Sequence, residues 1–169
     1  MSTVVARRTA AAVLRHGRDR GVGQTVAVQD TDEMVGLWDS GPFAYGAMES
    51  SEFALLGNGA GWAVWMNAAG GMELTRLVWH RTGVTTIDIT EVEVISGGWD
   101  PRRPGRLVAE GDPLVVDTTT RFGYRLGQER PPLADRALVC LTLEIPFQFA
   151  TSYALVRREV TSHDAPIVD

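Results

Sequence analysis

Four tryptophans, Trp62, Trp65, Trp79 and Trp99, fall within 38 residues of this chain, and Phe43 and Tyr45 lie just upstream. Charged side chains interleave with them: Glu52, Arg76 and Asp88. Indole walls with a few polar groups at the rim suit an apolar small molecule. Such a cavity could fold a hydrophobic substrate into a reactive pose. Trp62, Trp65 and Trp79 would shape it, and Glu52, Arg76 or Asp88 would polarise the substrate as the catalytic set. The same residue types also anchor protein interfaces, where Trp, Tyr and Arg carry much of the binding energy. Trp99, with Arg102 and Arg103 after it, and Tyr124, between Arg121 and Arg125, would then be displayed on loops. The ligand-binding candidates are therefore Trp62, Trp65, Trp79, Trp99 and Tyr124. Aromatic residues also fill cores as a matter of course, so packing competes with both readings.

Other chemistries find less support. The histidines are His16, His80 and His163, and no His-x-His, Cys-x-x-Cys or His-Glu-x-x-His spacing occurs. No metal site and no cofactor are expected. No Gly-x-Ser-x-Gly elbow is present. Cys140 stands between Val139 and Leu141, where a buried, inert thiol is the usual outcome. Gly57-Asn58-Gly59-Ala60-Gly61 is glycine-rich, but no Gly-Lys-Ser/Thr follows, so it reads as a turn between strands.

The elements that would position these residues centre on Gly61–Ile95, where β-branched and aromatic residues dominate. Thr82-Gly83 suits a two-residue hairpin loop. That register sets Arg81 opposite Val84 and Val78 opposite Ile87. Leu74, Arg76, Val78, His80, Thr85, Ile87 and Ile89 then share one face, the more apolar one, and are expected to face the core. The apolar phase slips near Thr90-Glu91, which implies a β-bulge and a bent sheet. Trp62 and Trp65 are three apart, so they point to opposite faces, and in a barrel one of them lines the interior.

Upstream, residues 3–20 read as an amphipathic helix, with Arg7, Arg8, Arg15 and Arg18 on one arc. Packing on a sheet and closing one end of a barrel are both compatible with it. Residues 24–29 read as a strand. Asp30 to Glu33 resembles a capping box, and Met34, Leu37 and Trp38 follow at helical spacing, so a short helix is expected. Downstream, strands are expected at 107–110, 113–117, 137–145 and 153–160. A loop is expected at 97–105, a longer one at 118–134, and a frayed tail at 161–169. The whole is mostly β: a single-domain antiparallel β-barrel or two-layer sandwich of about eight strands, with an N-terminal helix and one short helix. Residues 1–22 form the basic helix, 24–160 the body and 161–169 the tail.

The 169 residues are enough for one domain with its own core. No apolar run approaches the ~20 residues that span a membrane, and no signal-peptide pattern opens the chain. One cysteine excludes an internal disulfide, so a cytoplasmic protein is expected. All 16 basic residues are arginine, which suggests a GC-rich, actinobacterial genome. The net charge is −5, but residues 1–22 carry five Arg against Asp19 (+4), leaving −9 on the rest. A basic arm on an acidic body most simply docks on that body, and nucleic acid is not the expected partner. The remaining partner classes are a protein, an apolar small molecule or a second copy of the chain.

Two segments resemble immunity proteins of actinobacterial polymorphic-toxin systems. One is Val26 to Trp38. The other is Gly111-Asp-Pro-Leu-Val-Val-Asp117, followed by Leu141-Thr-Leu-Glu-Ile-Pro146 and Tyr153. Where those proteins place a Gly-Arg-Tyr turn after the proline, this chain has Phe147-Gln148-Phe149. The resemblance implies a non-enzymatic protein that docks a protein partner. By architecture alone, the chain is also similar to small β-barrel cyclases of polyketide biosynthesis, some of which carry a helical lid. That analogy implies a cofactor-free cyclase or isomerase.

Overall fold

The computed structural model describes residues 32–44, 47–100, 102–103 and 105–169. The helix expected at 3–20 and the strand expected at 24–29 lie outside the described residues. The chain from Thr31 to Asp169 forms one compact unit. Its strands are β1 (Gly36–Asp39), β2 (Glu49–Leu55), β3 (Ala60–Asn67), β4 (Gly71–Gly83) and β5 (Thr86–Trp99). They continue with β6 (Arg106–Ala109), β7 (Leu114–Glu129), β8 (Leu138–Phe147), β9 (Ala150–Arg157) and β10 (Ile167–Val168).

β2 to β5 form a meander, and β7, β8 and β9 form a second one. β1 joins them at one seam by pairing with both β2 and β9. β5 joins them at the other by pairing with β7 from Thr86 to Val94. These two seams close an eight-stranded antiparallel barrel, so the sandwich alternative falls away. Closure leaves none of these eight strands with an unpaired edge. β6 pairs with the last residues of β5, and β10 adds to β6 in parallel. Among the described residues, no helix is long and apolar enough to cross a membrane.

The central hairpin differs from expectation by a register shift. Its turn is Val84-Thr85; Gly83 pairs with Thr86, Arg81 with Ile87 and Trp79 with Ile89, with Thr82 bulged out. A Cβ at Gly83 would meet Thr86 Oγ1 at 2.5 Å, so a larger residue there would make that hydroxyl turn aside. The shift turns β4 over relative to β5. Leu77 and Trp79 now go inside with Ile87 and Ile89, while Arg76, Val78 and His80 face out. Burying Leu and Trp in place of Val and His removes more apolar surface from water. The expected bulge is present, between Glu91 and Glu93.

Three other expectations are corrected. Met34 to Trp38 leads into β1, not a helix; the Met34 N–H is taken by Asp32 Oδ1 and the Trp38 indole donates to the Met34 carbonyl at 2.9 Å. The i, i+4 spacing is thus used by a turn that drops both side chains into the core. The 118–134 loop is mostly strand, because β7 runs to Glu129 and zips to β5 and β8. Its outward side chains stay in water, which hides it from an apolar-pattern reading. The 161–169 tail is ordered by a capping box between Thr161 and Asp164 and by β10.

The barrel interior is filled. Trp38, Phe53, Tyr153, Ile87, Ile89, Leu55 and Leu141 are all essentially inaccessible, and Trp79, Phe122, Tyr124 and Phe147 join them. Phe53 meets Phe147 and Tyr153 edge-on at 5.5 and 4.8 Å. A second apolar cluster sits on the outer face of β2 to β5, where Trp62, Val64, Leu74 and Ile95 lie under Val160, Ala165 and Val168.

Candidate functional site: the acidic, aromatic mouth of the barrel

Antiparallel order brings to one end of the barrel the C-terminal ends of β1, β3, β5 and β8 and the N-terminal ends of β2, β4, β7 and β9. This end is built around the β8–β9 tip. Gln148 and Phe149 there have φ of 46° and 68°, two successive non-glycine residues in the left-handed region. Such backbone is costly and persists only where its surroundings hold it. Two anchors are visible. The Gln148 amide donates to Thr75 Oγ1 at 3.2 Å, and Thr75 is fully buried. The Tyr153 hydroxyl donates to the Phe147 carbonyl and lies 3.3 Å from Ser51 Oγ, which in turn donates to Ser40 Oγ.

The strained tip holds Phe149 in the open. Its side chain is 74% exposed and its ring tilts against Trp65 at 5.6 Å. Trp65 pairs with Ser51 and Glu73, which puts it on the inward face at the rim. Its indole donates to Glu49 at 3.4 Å. Ser40, Phe43, Glu49, Ser51, Trp65 and Phe149 line a cleft of about 420 Å³. A neighbouring shallow cleft is flanked by Met48, 72% exposed, and Trp99, 46% exposed.

The mouth is acidic. Glu73 accepts from Ser96 Oγ, and Glu91 follows on the same face through its pairing with Leu77. Burial lifts the Glu91 carboxyl above its ordinary range, and the nearby Glu73 charge adds to the lift. Among the described residues, Glu49, Glu73 and Glu91 have no ion-pair partner. Burial pushes the Tyr153 hydroxyl up, so it stays protonated beside Ser51. Among the described residues, no group of three His, Cys, Asp or Glu side chains is placed to hold a metal ion. Cys140 is buried and its thiol is pushed up by that burial, as suits an inert side chain.

The candidate residues from the sequence are dispersed. Trp65 and Trp99 lie at the mouth. Trp79 is inside, with its indole donating to the Leu56 carbonyl at 3.0 Å. Tyr124 is inside near the opposite end, donating to the Val84 carbonyl, with Arg81 over its ring. Trp62 is on the outer face, opposite Arg76 in the β3–β4 register, and Arg76 Nε lies 3.2 Å from Glu93. Asp88 is also outside, held by Arg121 at 2.7 and 2.9 Å, which keeps its carboxyl below the ordinary range. Glu52 is half-buried outside beside Asp39; burial first, then Asp39, raises its carboxyl. So Glu52, Arg76 and Asp88 do not converge on one cavity, whereas Trp62 and Arg76 do meet.

Gln148 and Phe149 were not singled out by residue type. The available signal was a hairpin between two alternating strands with no Gly, Asn or Asp at its tip. No family model matches this chain, and neither the curated proteins nor the solved structures contain a match to it.

Proposed function

We infer that this is a non-enzymatic binding protein that docks a protein partner on the mouth end of its barrel, in the manner of an immunity-type protein. The observation that carries this reading is the contrast between a barrel interior filled by Trp38, Phe53, Trp79, Phe122 and Tyr153 and a rim that leaves Met48, Trp99 and Phe149 in water. A cyclase-like enzyme needs the reverse: space inside and its polarising groups around that space. Exposed aromatic and Met side chains are typical interface anchors. The carboxylates of Glu49, Glu73 and Glu91, without an ion-pair partner among the described residues, favour a partner that presents Arg or Lys beside an apolar residue.

Affinity capture from cells that carry the protein tests the reading. Wild-type bait should retain one protein that a W99R/F149R bait loses, while both baits keep the same fold by circular dichroism. Equal retention by both baits would refute docking at this end.

A further inference from the structure

A second site lies on the outside of the barrel. The outer face of β3 and β4 and the segment from Ser162 to Val168 enclose a cleft of about 650 Å³. That volume is in the range of small-molecule sites. Its walls include Leu56, Trp62, Ile167 and Val168, with Arg76 and His163 at the polar side. Trp62 is 4% exposed, and its indole N–H is the one buried side-chain donor without an acceptor among the described residues. Buried donors are almost always paired, so an orphan of this kind calls for an explanation. In the β3–β4 register Arg76 stands directly opposite Trp62. Arg76 Nε lies 3.2 Å from Glu93, and among the described residues its Nη groups make no hydrogen bond.

We propose that this cleft binds an amphipathic carboxylate. The carboxylate accepts from the Trp62 indole and from the Nη groups of Arg76, and the hydrocarbon body lies against Leu56, Ile167 and Val168. A neutral acceptor would satisfy the indole but not use the guanidinium, and a cation would be repelled by it. Charge-assisted bonds to an Arg are the stronger kind, which selects the acid over the alcohol. The C-terminal segment forms the outer wall. It is fastened by the Arg157–Asp164 pair, the Thr161 cap and the pairing of β10 with β6, so the wall is ordered without a ligand.

The test is a titration of ¹⁵N-labelled protein with decanoate, decanol and decylamine, read at the five tryptophan indole N–H signals. The Trp62 signal is the one missing in Trp62→Phe, and it can be assigned independently by triple-resonance methods if that variant folds poorly. Decanoate should shift the Trp62 signal saturably, and Arg76→Gln should weaken the apparent affinity tenfold or more. Decanol should bind at least tenfold more weakly, and decylamine should leave the signal in place. No saturable shift of Trp62 with decanoate, equal shifts with all three probes, or an affinity unchanged in Arg76→Gln would each overturn the proposal. None of these outcomes depends on the mouth-docking reading.

Discussion

The side chain of Gln148 reaches from the β8–β9 tip into the barrel and donates to Thr75 Oγ1 at 3.2 Å. This bond spans 73 residues of sequence and fixes a backbone that would otherwise relax. Thr75→Val keeps the shape and removes the acceptor. It should cost about 1 kcal/mol, the ordinary worth of such a bond, and lower Tm by roughly 2–4 °C for a domain of this size. Hydrogen exchange at residues 147–150 should accelerate at the same time. Unchanged exchange there would show that the tip is held by other contacts.

Phe149→Gly separates strain from function. Glycine at φ 68° avoids a left-handed penalty of about 1–2 kcal/mol. It loses an aromatic contact with Trp65 worth about 0.5–1.5 kcal/mol and adds unfolded-state freedom worth about 0.5–1 kcal/mol. The terms nearly cancel, so thermal melting should move by only a few degrees while partner capture is lost. A large drop in Tm with capture intact would reverse the assignment of Phe149 as a binding residue.

Tyr153→Phe should be far more damaging to the fold than its one-atom change suggests. Tyr153 is fully buried, and its hydroxyl serves the Phe147 carbonyl and lies beside Ser51. Removing it takes the hydroxyl donor from the buried Phe147 carbonyl, while Ser51 Oγ keeps its bond to Ser40, at a cost of about 1–3 kcal/mol. Chemical denaturation should show this as a lower midpoint with an unchanged slope.

Much of the fold is legible in the sequence, and each departure from it has its own physical cause. The alternation in 137–145 marks β8, the strand expected at 153–160 overlaps β9, which lies three residues earlier, and the phase slip near Glu91 marks a true bulge. The turn falls two residues later than glycine propensity suggests, at Val84-Thr85, because Arg81 pairs with Ile87 and Gly83 with Thr86, which carries Leu77 and Trp79 into the core. β7 was hidden because half of it faces water and its Thr and Arg side chains carry no apolar stripe. At the candidate mouth, residue type singles out Trp65 and Trp99. It does not single out Gln148 and Phe149, because what marks them is backbone conformation.

Acid should act on two carboxylates in opposite directions. Arg81, by its hydrogen bond, holds the Asp32 carboxyl below its ordinary range. Its contribution is therefore full at neutral pH and is lost as pH falls from about 4 through the folded value. Asp32→Asn should lower Tm at pH 7, and the difference from wild type should shrink in acid. Glu91 lies above its ordinary range, so its ionised form opposes folding at neutral pH. Glu91→Gln should raise Tm at pH 7, and that gain should fade as pH is lowered towards about 4. Differential scanning calorimetry across this range reads both; parallel pH curves for wild type and either variant would contradict the assignment.

The most direct test of docking at the barrel mouth is oxidative footprinting of the protein with its captured partner bound. Met48, Trp65, Trp99 and Phe149 are oxidisable side chains at that end. All four should lose reactivity in the complex, while His80, exposed near the far end of the barrel, keeps its own. Protection confined to other surfaces, with Trp99 and Phe149 as reactive as in the free protein, would contradict it.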